Sequence, residues 1–413
     1  MNDRQIQQCT ERVRDFCRMT ITMPDATFDQ IAETKSSDGP VAAIDRLIET
    51  LREERKYHKL FDARMLKRKF ELGLPLSRPS TLSDVPEDLR KDVEETYIEA
   101  AREAGELLLE EGNIPEAWMY LKVIREPEKV AAKIEETPVP REYEPGSEQI
   151  LNIALYEGVH PVKGIEMMLA SQGTCSTITT LDQVLHNLSP GQRRECARLM
   201  VRSLYSDLRE SVLRHVQQRM PTVPPNASLR ELLAGRDWIF EGGNYHVDVS
   251  HLSAVVRFAR SIEAPAEELE LALQMAEYGS HLDSQLQYAA EPPFEDFYPA
   301  HIAFLKVLLG KDVDPSLQYF RDKLDNEPDE QDKPLLAYVL VDLLMRSDRL
   351  DEAVDVAAQY LTNLGEDVSF SFAELCREAG RLDALQRVMR ERDDLVGYTA
   401  ALLQEESGAV AAE

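Results

Sequence analysis

The chain has 413 residues, of which 43 % are apolar and 30 % charged, and its formal net charge is −28. This composition excludes a disordered chain, and the excess of acid argues against a nucleic-acid binder or a protein that docks on anionic lipid, because both contacts need cations. No run approaches the roughly 18 apolar residues of a membrane span, the N-terminal residues have no apolar signal core, and the five cysteines are widely spaced, so we expect a cytoplasmic protein that crosses no membrane.

Helical periodicity runs along nearly the whole chain. Apolar residues recur at intervals of three and four, as at Ile44, Leu47, Ile48 and Leu51. Alternating strand patterns are nearly absent, and glycine, or proline followed by an acidic residue, marks frequent helix ends. The pattern predicts an all-α fold of stacked antiparallel helical hairpins.

Residues 52–71 form the one basic segment of this acidic chain, and Tyr57, Phe61 and Phe70 are interleaved with its cations. Cations with interleaved rings could bind a nucleic-acid strand, although the global charge opposes that interpretation. The same cations could instead form the wet face of a helix, or dock an acidic segment of this chain or of another.

Proline-rich stretches divide the chain. Residues 137–146 contain three prolines, and each proline removes a backbone donor that a continuous helix needs. We therefore expect an N-terminal helical region at 1–140 and a helical-repeat array at 146–406. Residues 407–413 are mostly small and are predicted to form a flexible tail.

Small residues mark a helical hairpin at about residues 98–133. Gly105 and Ala117 are expected to face each other across a turn at Gly112, because small contact residues let two helices approach closely. The turn glycine is expected to end the first helix of this hairpin.

Two further hairpins are predicted within residues 334–391, with turns at Asp348 and Gly380. Together these hairpins resemble the tetratricopeptide repeat, a helix–turn–helix unit of about 34 residues, although its first-helix aromatic residues are replaced, at 98–133, by Ala101 and Leu108. The resemblance implies an α-solenoid whose surface binds a peptide or protein segment. The favoured function is therefore a protein-interaction scaffold with a protein or peptide partner and no catalytic role.

A second hypothesis rests on the histidines, four of which fall within residues 246–301. Imidazoles beside carboxylates and tyrosines suit a ligand pocket, and they also suit a borderline metal ion. The candidate ligand-binding residues are Trp238, Tyr245, His246, Asp248, His251, His281, Tyr298 and His301. The alternative function is a helical ligand-binding protein or a metal-dependent enzyme, and a metal would use His246, Asp248, His251 and His281.

The same residues have a purely structural interpretation. Asp248 suits a helix N-cap, and the histidines could fill helix ends beside their tyrosines. His251 and His281 are expected at the same end of one hairpin. Because the sequence contains no phosphate-binding loop, nucleophile elbow or H-E-x-x-H motif, we assign no catalytic residue, no metal and no cofactor.

Overall fold

The computed structural model describes residues 25–139, 145–361 and 371–410, the side chains of residues 25, 145 and 405–410 excepted. These residues form nineteen α-helices and no β-strand, which confirms the all-α prediction. The chain divides into two compact units, Met1–Gly173 and Thr174–Glu413. None of the helices within the described ranges is long and apolar enough to span a bilayer.

Most helices of the first unit contact the next helix in the chain. Its helices are α1 (Asp25–Asp38), α2 (Pro40–Glu53), α3 (Tyr57–Glu71), α4 (Glu87–Glu110), α5 (Ile114–Leu121), α6 (Pro127–Glu136), α7 (Pro145–Leu151) with a following π-helical turn (Asn152–Tyr156), and the first part of α8 (Pro161–Val184). The long helix α4 contacts α3, α5 and α6. Its residues Val93, Ala101 and Ala104 are fully buried in the core that these helices share.

A glycine interrupts α8 at the boundary between the two units. Gly173 has φ 78° and ψ 178°, a backbone conformation that residues with a Cβ rarely adopt. Helix α8 therefore consists of two segments, and the second segment opens the second unit. The proline-rich stretch at 137–146 belongs to the first unit, and its residues 140–144 lie outside the described residues.

The second unit begins around one long helix. Its helices are α9 (Pro190–Arg219), α10 (Leu229–Leu233), α11 (Val249–Phe258), α12 (Glu267–Ser280), α13 (Phe297–Leu308), α14 (Val313–Asn326), α15 (Lys333–Arg346), α16 (Leu350–Tyr360), α17 (Phe372–Glu378), α18 (Leu382–Glu391) and α19 (Leu395–Val410), and a 3-10 segment (Asp237–Gly243) precedes α11. Helix α9 buries residues one turn apart, among them Met200, Leu204 and Leu208. This buried stripe faces α10, α11 and α12, which α9 contacts.

Side-chain caps fix where two of these helices begin. The Ser189 hydroxyl accepts a hydrogen bond from the backbone N–H of Gln192, and the Gln192 side chain accepts one from the N–H of Ser189. Ser228 and Glu231 form the same reciprocal pair at the start of α10. Each pair is a capping box, which satisfies backbone donors that a helix otherwise leaves unpaired.

One turn geometry follows eight of the described helices. A residue with φ between 56° and 78° donates its N–H to the carbonyl three residues earlier, and the next N–H donates to the carbonyl five residues earlier. This pair of bonds is the Schellman motif. The residues with positive φ are Arg55, Gly73, Gly112, Arg125, Gly310, Asp348, Gly380 and Asp393. The predicted turns at Gly112, Asp348 and Gly380 are thereby confirmed.

The close approach predicted at Gly105 has a different partner. A Cβ on Gly105 would lie 2.7 Å from Leu121 Cγ, so the structure places Leu121, rather than Ala117, against the glycine. Ala117 is fully buried one turn earlier on α5. The contact of α5 with Gly105 therefore lies one turn further along α5 than the small-residue pattern predicts.

The basic segment packs against acidic residues of its own unit. Arg64 forms two hydrogen bonds to the Glu103 carboxylate, of 2.7 and 2.9 Å. Lys69 is fully buried, and its Nζ donates to the Arg78 carbonyl over 2.9 Å and lies 3.3 Å from the Asp84 carboxylate. Of the three interpretations of this segment, docking on acidic residues of the same chain accounts for these contacts.

The C-terminal helices contact one another in chain order from α15 to α19. Helix α19 extends to Val410, so residues 407–410 of the predicted tail are helical. Residues 411–413 of that tail lie outside the described residues.

Candidate functional site

The predicted residues Trp238 and His246 meet a histidine from α9. The Nδ1 atom of His215 is 2.8 Å from Nε2 of His246. On the other side of its ring, His246 Nδ1 is 2.9 Å from the hydroxyl of Tyr278 on α12. The His215 and Trp238 rings are in edge-to-face contact with centroids 5.2 Å apart. Helices α9 and α12 and the segment before α11 thus contribute to one cluster.

Hydrogen bonding assigns the protons along this chain of side chains. The backbone N–H of His246 donates to the Tyr278 hydroxyl oxygen over 3.0 Å. Asn244 Nδ2 donates to the Ile239 carbonyl over 3.0 Å and lies 3.4 Å from His215 Nδ1, so we assign His215 Nδ1 as an acceptor. His246 then carries its proton on Nε2 and donates it to His215 Nδ1. The His215 proton is therefore on Nε2, and this atom has no partner within the described part of the protein.

Burial keeps His246 and Tyr278, the two inner side chains of this hydrogen-bonded series, neutral. The pKa of His246 is lowered from 6.5 to about 4, mainly by burial and secondly by the neighbouring His215. Tyr278 is fully buried, and burial raises the pKa of its hydroxyl. At pH 7 His246 is thus a neutral imidazole, and Tyr278 is a hydroxyl that can donate its proton.

An open depression of about 700 Å³ lies beside the cluster. It is lined by His215, Arg219, Trp238, Glu241, Gly242, Gly243, Asn244 and Tyr245. The Arg219 guanidinium stacks on Trp238, 4.3 Å from the ring centroid. Tyr245, which sequence analysis proposed as a ligand-binding residue, is 52 % exposed on the rim. Aromatic walls with a few polar groups are the usual composition of small-ligand sites.

His281 reaches this cluster only through an aromatic ring. Phe240 stacks on His281 with centroids 5.4 Å apart, and the Phe240 ring is 5.2 Å from that of Tyr278. The His281 side chain is exposed, and its Nδ1–H donates to the Glu277 carbonyl over 2.8 Å. His281 therefore lies at the C-terminal end of α12, and the ring of Phe240 lies between it and Tyr278.

Asp248 and His251 lie apart from the histidine pair. The Asp248 carboxylate caps α11 by accepting hydrogen bonds from the N–H groups of Ser250 and His251, at 2.8 and 3.4 Å. Its pKa is lowered, chiefly by the hydrogen bond from the Ser250 hydroxyl. His251 lines a different depression, of about 460 Å³, together with Cys175 and Asp182.

Tyr298 and His301 are core residues of α13, with 0 and 1 % of their surface exposed. His301 lies between Phe294 and Phe297, and its Nδ1–H donates to the Phe297 carbonyl over 2.7 Å. Burial, and secondly the charge of Arg260, lowers the pKa of His301 to about 3. Its Nε2 and the Tyr298 hydroxyl have no partner among the residues described. Neither residue lines the depression.

The residues that the structure describes contain no group of three His, Cys, Asp or Glu side chains that could hold a metal ion. Three of the four residues proposed as metal ligands form hydrogen bonds within the protein. His246 uses both ring nitrogens, His281 uses Nδ1 on a carbonyl, and Asp248 binds the N-terminus of α11.

A second candidate surface lies on α19. Leu395, Val396, Leu402 and Leu403 are 75, 81, 38 and 59 % exposed. Their spacing places them on one side of the helix, while Ala401, 1 % exposed, lies where α19 packs on α18. We call these four leucine and valine residues the terminal apolar face.

Sequence reasoning missed the residue that completes the cluster. His215 lies 31 residues before His246, and no local spacing links them because they meet only through the packing of α9. The signal present in the sequence was the pair His215 and Arg219, one turn apart at the end of a long helix. Its significance depended on a third residue, Trp238, that only the fold supplies.

Comparison with known proteins returns no match: no family model, no curated protein and no solved structure is similar to the chain.

Proposed function

We propose that this chain is a protein-interaction scaffold, in which tetratricopeptide-like hairpins stack as an α-solenoid and bind a helical segment of a partner protein on the terminal apolar face. The observation that carries the proposal is the exposure of four large apolar side chains on one side of α19. Apolar patches of this kind mark interaction sites. The proposal includes no catalytic step, and it places the scaffold in the cytoplasm, in keeping with the wide spacing of its cysteines.

The regular turns support a hairpin array. Asp348, Gly380 and Asp393 give the same Schellman motif between successive helices of the region α15 to α19. In helical-repeat proteins each unit covers the apolar face of the unit before it. On the outer face of α19, the side chains of Leu395 and Val396 are 75 and 81 % exposed. A partner helix that packs there would continue the stack.

Charge indicates the chemistry of the partner. The terminal apolar face itself carries no charge, whereas the whole chain carries −28. Long-range attraction therefore favours a segment with basic residues. The occupant we propose is an amphipathic helix that has an apolar stripe on one side and Lys or Arg on its flanks.

The test is a selection of displayed peptides, about 20 residues long so that they can form several helical turns, on the purified full chain. We expect the enriched sequences to be amphipathic and basic. The affinity of a selected peptide, measured by fluorescence anisotropy, should fall at least about tenfold in the double variant Leu395→Glu, Leu403→Glu, because both changes put charge into an apolar contact.

Leu335→Glu is the matched control. Leu335 is 47 % exposed on α15 and is not part of the terminal apolar face, so its substitution should leave the affinity unchanged. The proposal fails if no sequence is enriched, or if enriched peptides bind the double variant as tightly as the original chain.

One observation favours the alternative function, a ligand-binding role. It concerns the depression beside His215 and Trp238, not the terminal apolar face. The hydrogen-bonded chain from Tyr278 through His246 ends at His215, on the rim of the depression. Its Nε2–H, which has no partner among the described residues, is a donor on a residue that lines the depression together with Trp238 and Tyr245. This role neither needs nor excludes a partner on α19.

A further inference from the structure

Two nitrogen donors stand together at the end of α9. His215 and Arg219 are four residues apart, which places them on the same side of the helix. Both contact the ring of Trp238, His215 with centroids 5.2 Å apart and Arg219 at 4.3 Å from the centroid. Both also line the same open depression. Trp238 therefore holds the two donors side by side at a surface that solvent reaches.

Neither donor has a hydrogen-bond or ion-pair partner among the residues that the structure describes. Arg219 forms no ion pair with any described carboxylate, whereas Arg230, in the same unit, pairs with both Glu270 and Glu277. The Nε2–H of His215 has no partner among the described residues, and its direction is fixed because Nδ1 accepts from His246. Two unused donors that neighbouring side chains orient are a preorganised site for an anion.

We propose that this depression binds a small tetrahedral oxyanion, sulfate- or phosphate-like, which accepts hydrogen bonds from the Arg219 guanidinium and from the Nε2–H of His215. A guanidinium fork uses two oxygens of an anion. The bond from His215 can then go to a third oxygen, which sulfate and phosphate have, whereas a carboxylate would have to accept it on an oxygen that the guanidinium already uses. The rim leaves room for the anion, because a Cβ on Gly242 or Gly243 would meet no atom within 4 Å.

Other charged and titratable groups face the same space. Glu241, from the 3-10 segment, lines the depression and repels an anion. Tyr245 lies on the rim, and His246 and Tyr278 stand behind His215 as neutral groups. Glu241 is therefore the one lining residue whose charge opposes binding, and its removal should strengthen the site.

The experiment is a titration of the full chain with sodium sulfate at pH 7.5, with sodium chloride holding the ionic strength constant. The chain has two tryptophans, Trp118 in the first unit and Trp238. In a Trp118→Phe background, fluorescence therefore reports on Trp238 alone. We expect a saturable change with a dissociation constant in the millimolar range, of order 1–10 mM, with phosphate competing and acetate not competing.

Four substitutions in that background make the result specific. Arg219→Gln should weaken sulfate binding at least about tenfold, and His215→Phe should weaken it several-fold because it keeps a ring on Trp238 but removes the donor. Glu241→Gln should strengthen binding. Arg214→Gln removes an exposed arginine of the same helix that does not line the depression, and it should change nothing.

Two results would overturn the proposal. The first is a response to sulfate that does not saturate, or that acetate matches. The second is equal sulfate affinity in the Arg219→Gln and Arg214→Gln variants, with circular dichroism showing both folded. Because this site is distant in sequence from α19, its failure leaves the scaffold proposal standing, and failure of the peptide selection leaves this one standing.

Discussion

Gly279 of α12 lies against the ring of Tyr298 of α13 so closely that a Cβ on the glycine would overlap the ring. Tyr298 is fully buried in the first turn of α13, so the glycine sets how near the two helices pack. The residue before the glycine is Tyr278, whose hydroxyl starts the hydrogen-bonded chain to His215. Two successive residues of α12 therefore contact different neighbours: Gly279 packs on Tyr298, and Tyr278 bonds to His246.

Substitution Gly279→Ala should destabilise the fold. Alanine is favoured over glycine inside a helix by about 1 kcal/mol, but overlap with a buried ring costs typically 1–3 kcal/mol or more. The cost of the overlap should therefore exceed the gain in helix propensity, and urea unfolding should give a lower free energy of unfolding for the variant. In Gly191→Ala, where the nearest atom to a Cβ is 3.8 Å away, the same measurement should show no loss. Equal stability of the two variants would contradict the packing described.

Overpacking at Ala117 should be similarly costly. The residue is fully buried in α5, so Ala117→Leu should lower the free energy of unfolding by roughly 1–3 kcal/mol. The control is Ala132→Leu on the exposed side of α6, which should stay within about 0.5 kcal/mol of the original chain. A neutral Ala117→Leu would mean that the α4–α5 interface has space that the structure does not show.

The recurring turn predicts opposite effects at two equivalent positions. Asp348 has φ 60°, and the left-handed conformation costs an L-residue about 1–2 kcal/mol, more than the 0.5–1 kcal/mol that glycine loses in entropy on folding. Asp348→Gly should therefore raise thermal stability slightly. Gly380→Ala, at φ 68°, should lower it. Thermal unfolding measures both, and two shifts of the same sign would contradict the shared turn geometry.

Acid should destabilise the second unit through His301. The folded pKa is about 3, below the ordinary 6.5, because of burial and the nearby Arg260. Between these pH values the unfolded chain binds a proton at His301 that the folded chain excludes. The contribution of neutral His301 to the free energy of unfolding is therefore complete above pH 6.5, and it declines as the pH falls, by about 1.4 kcal/mol per pH unit.

His301→Leu isolates this contribution because leucine does not titrate. The difference in free energy of unfolding between the original chain and the variant should shrink, or move in favour of the variant, by about 1 kcal/mol from pH 6.5 to 5.5, because the unfolded imidazole is already half protonated at pH 6.5. Parallel pH profiles for the two proteins would show that His301 is protonated without cost in the folded state.

Local sequence rules predicted what depends on local interactions. Helical periodicity predicted the all-α fold, and the turns at Gly112, Asp348 and Gly380 followed from residue types that end helices. The same reasoning allowed an N-cap role for Asp248, whose carboxylate reaches only three residues along the chain. These features need no knowledge of which helices pack together.

Local sequence patterns could not predict the contacts between helices. The partner of Gly105 is Leu121 because the register between α4 and α5 depends on the whole core, not on the size of one residue. His246 meets His215 rather than His251 because α9 packs beside the segment before α11. Clustering of histidines in the sequence led us to expect a site in this region, but the residues that His246 contacts, His215 and Tyr278, come from distant helices.

Hydrogen exchange of α19 in the presence of a selected peptide tests the central claim most directly. A helix that covers the terminal apolar face should suppress local opening of α19. We expect slower exchange for amides of residues 395–404 when the peptide is added, with no change in α9 or in the first unit. Peptide binding that leaves α19 exchange unchanged, or that protects another surface instead, would contradict the account.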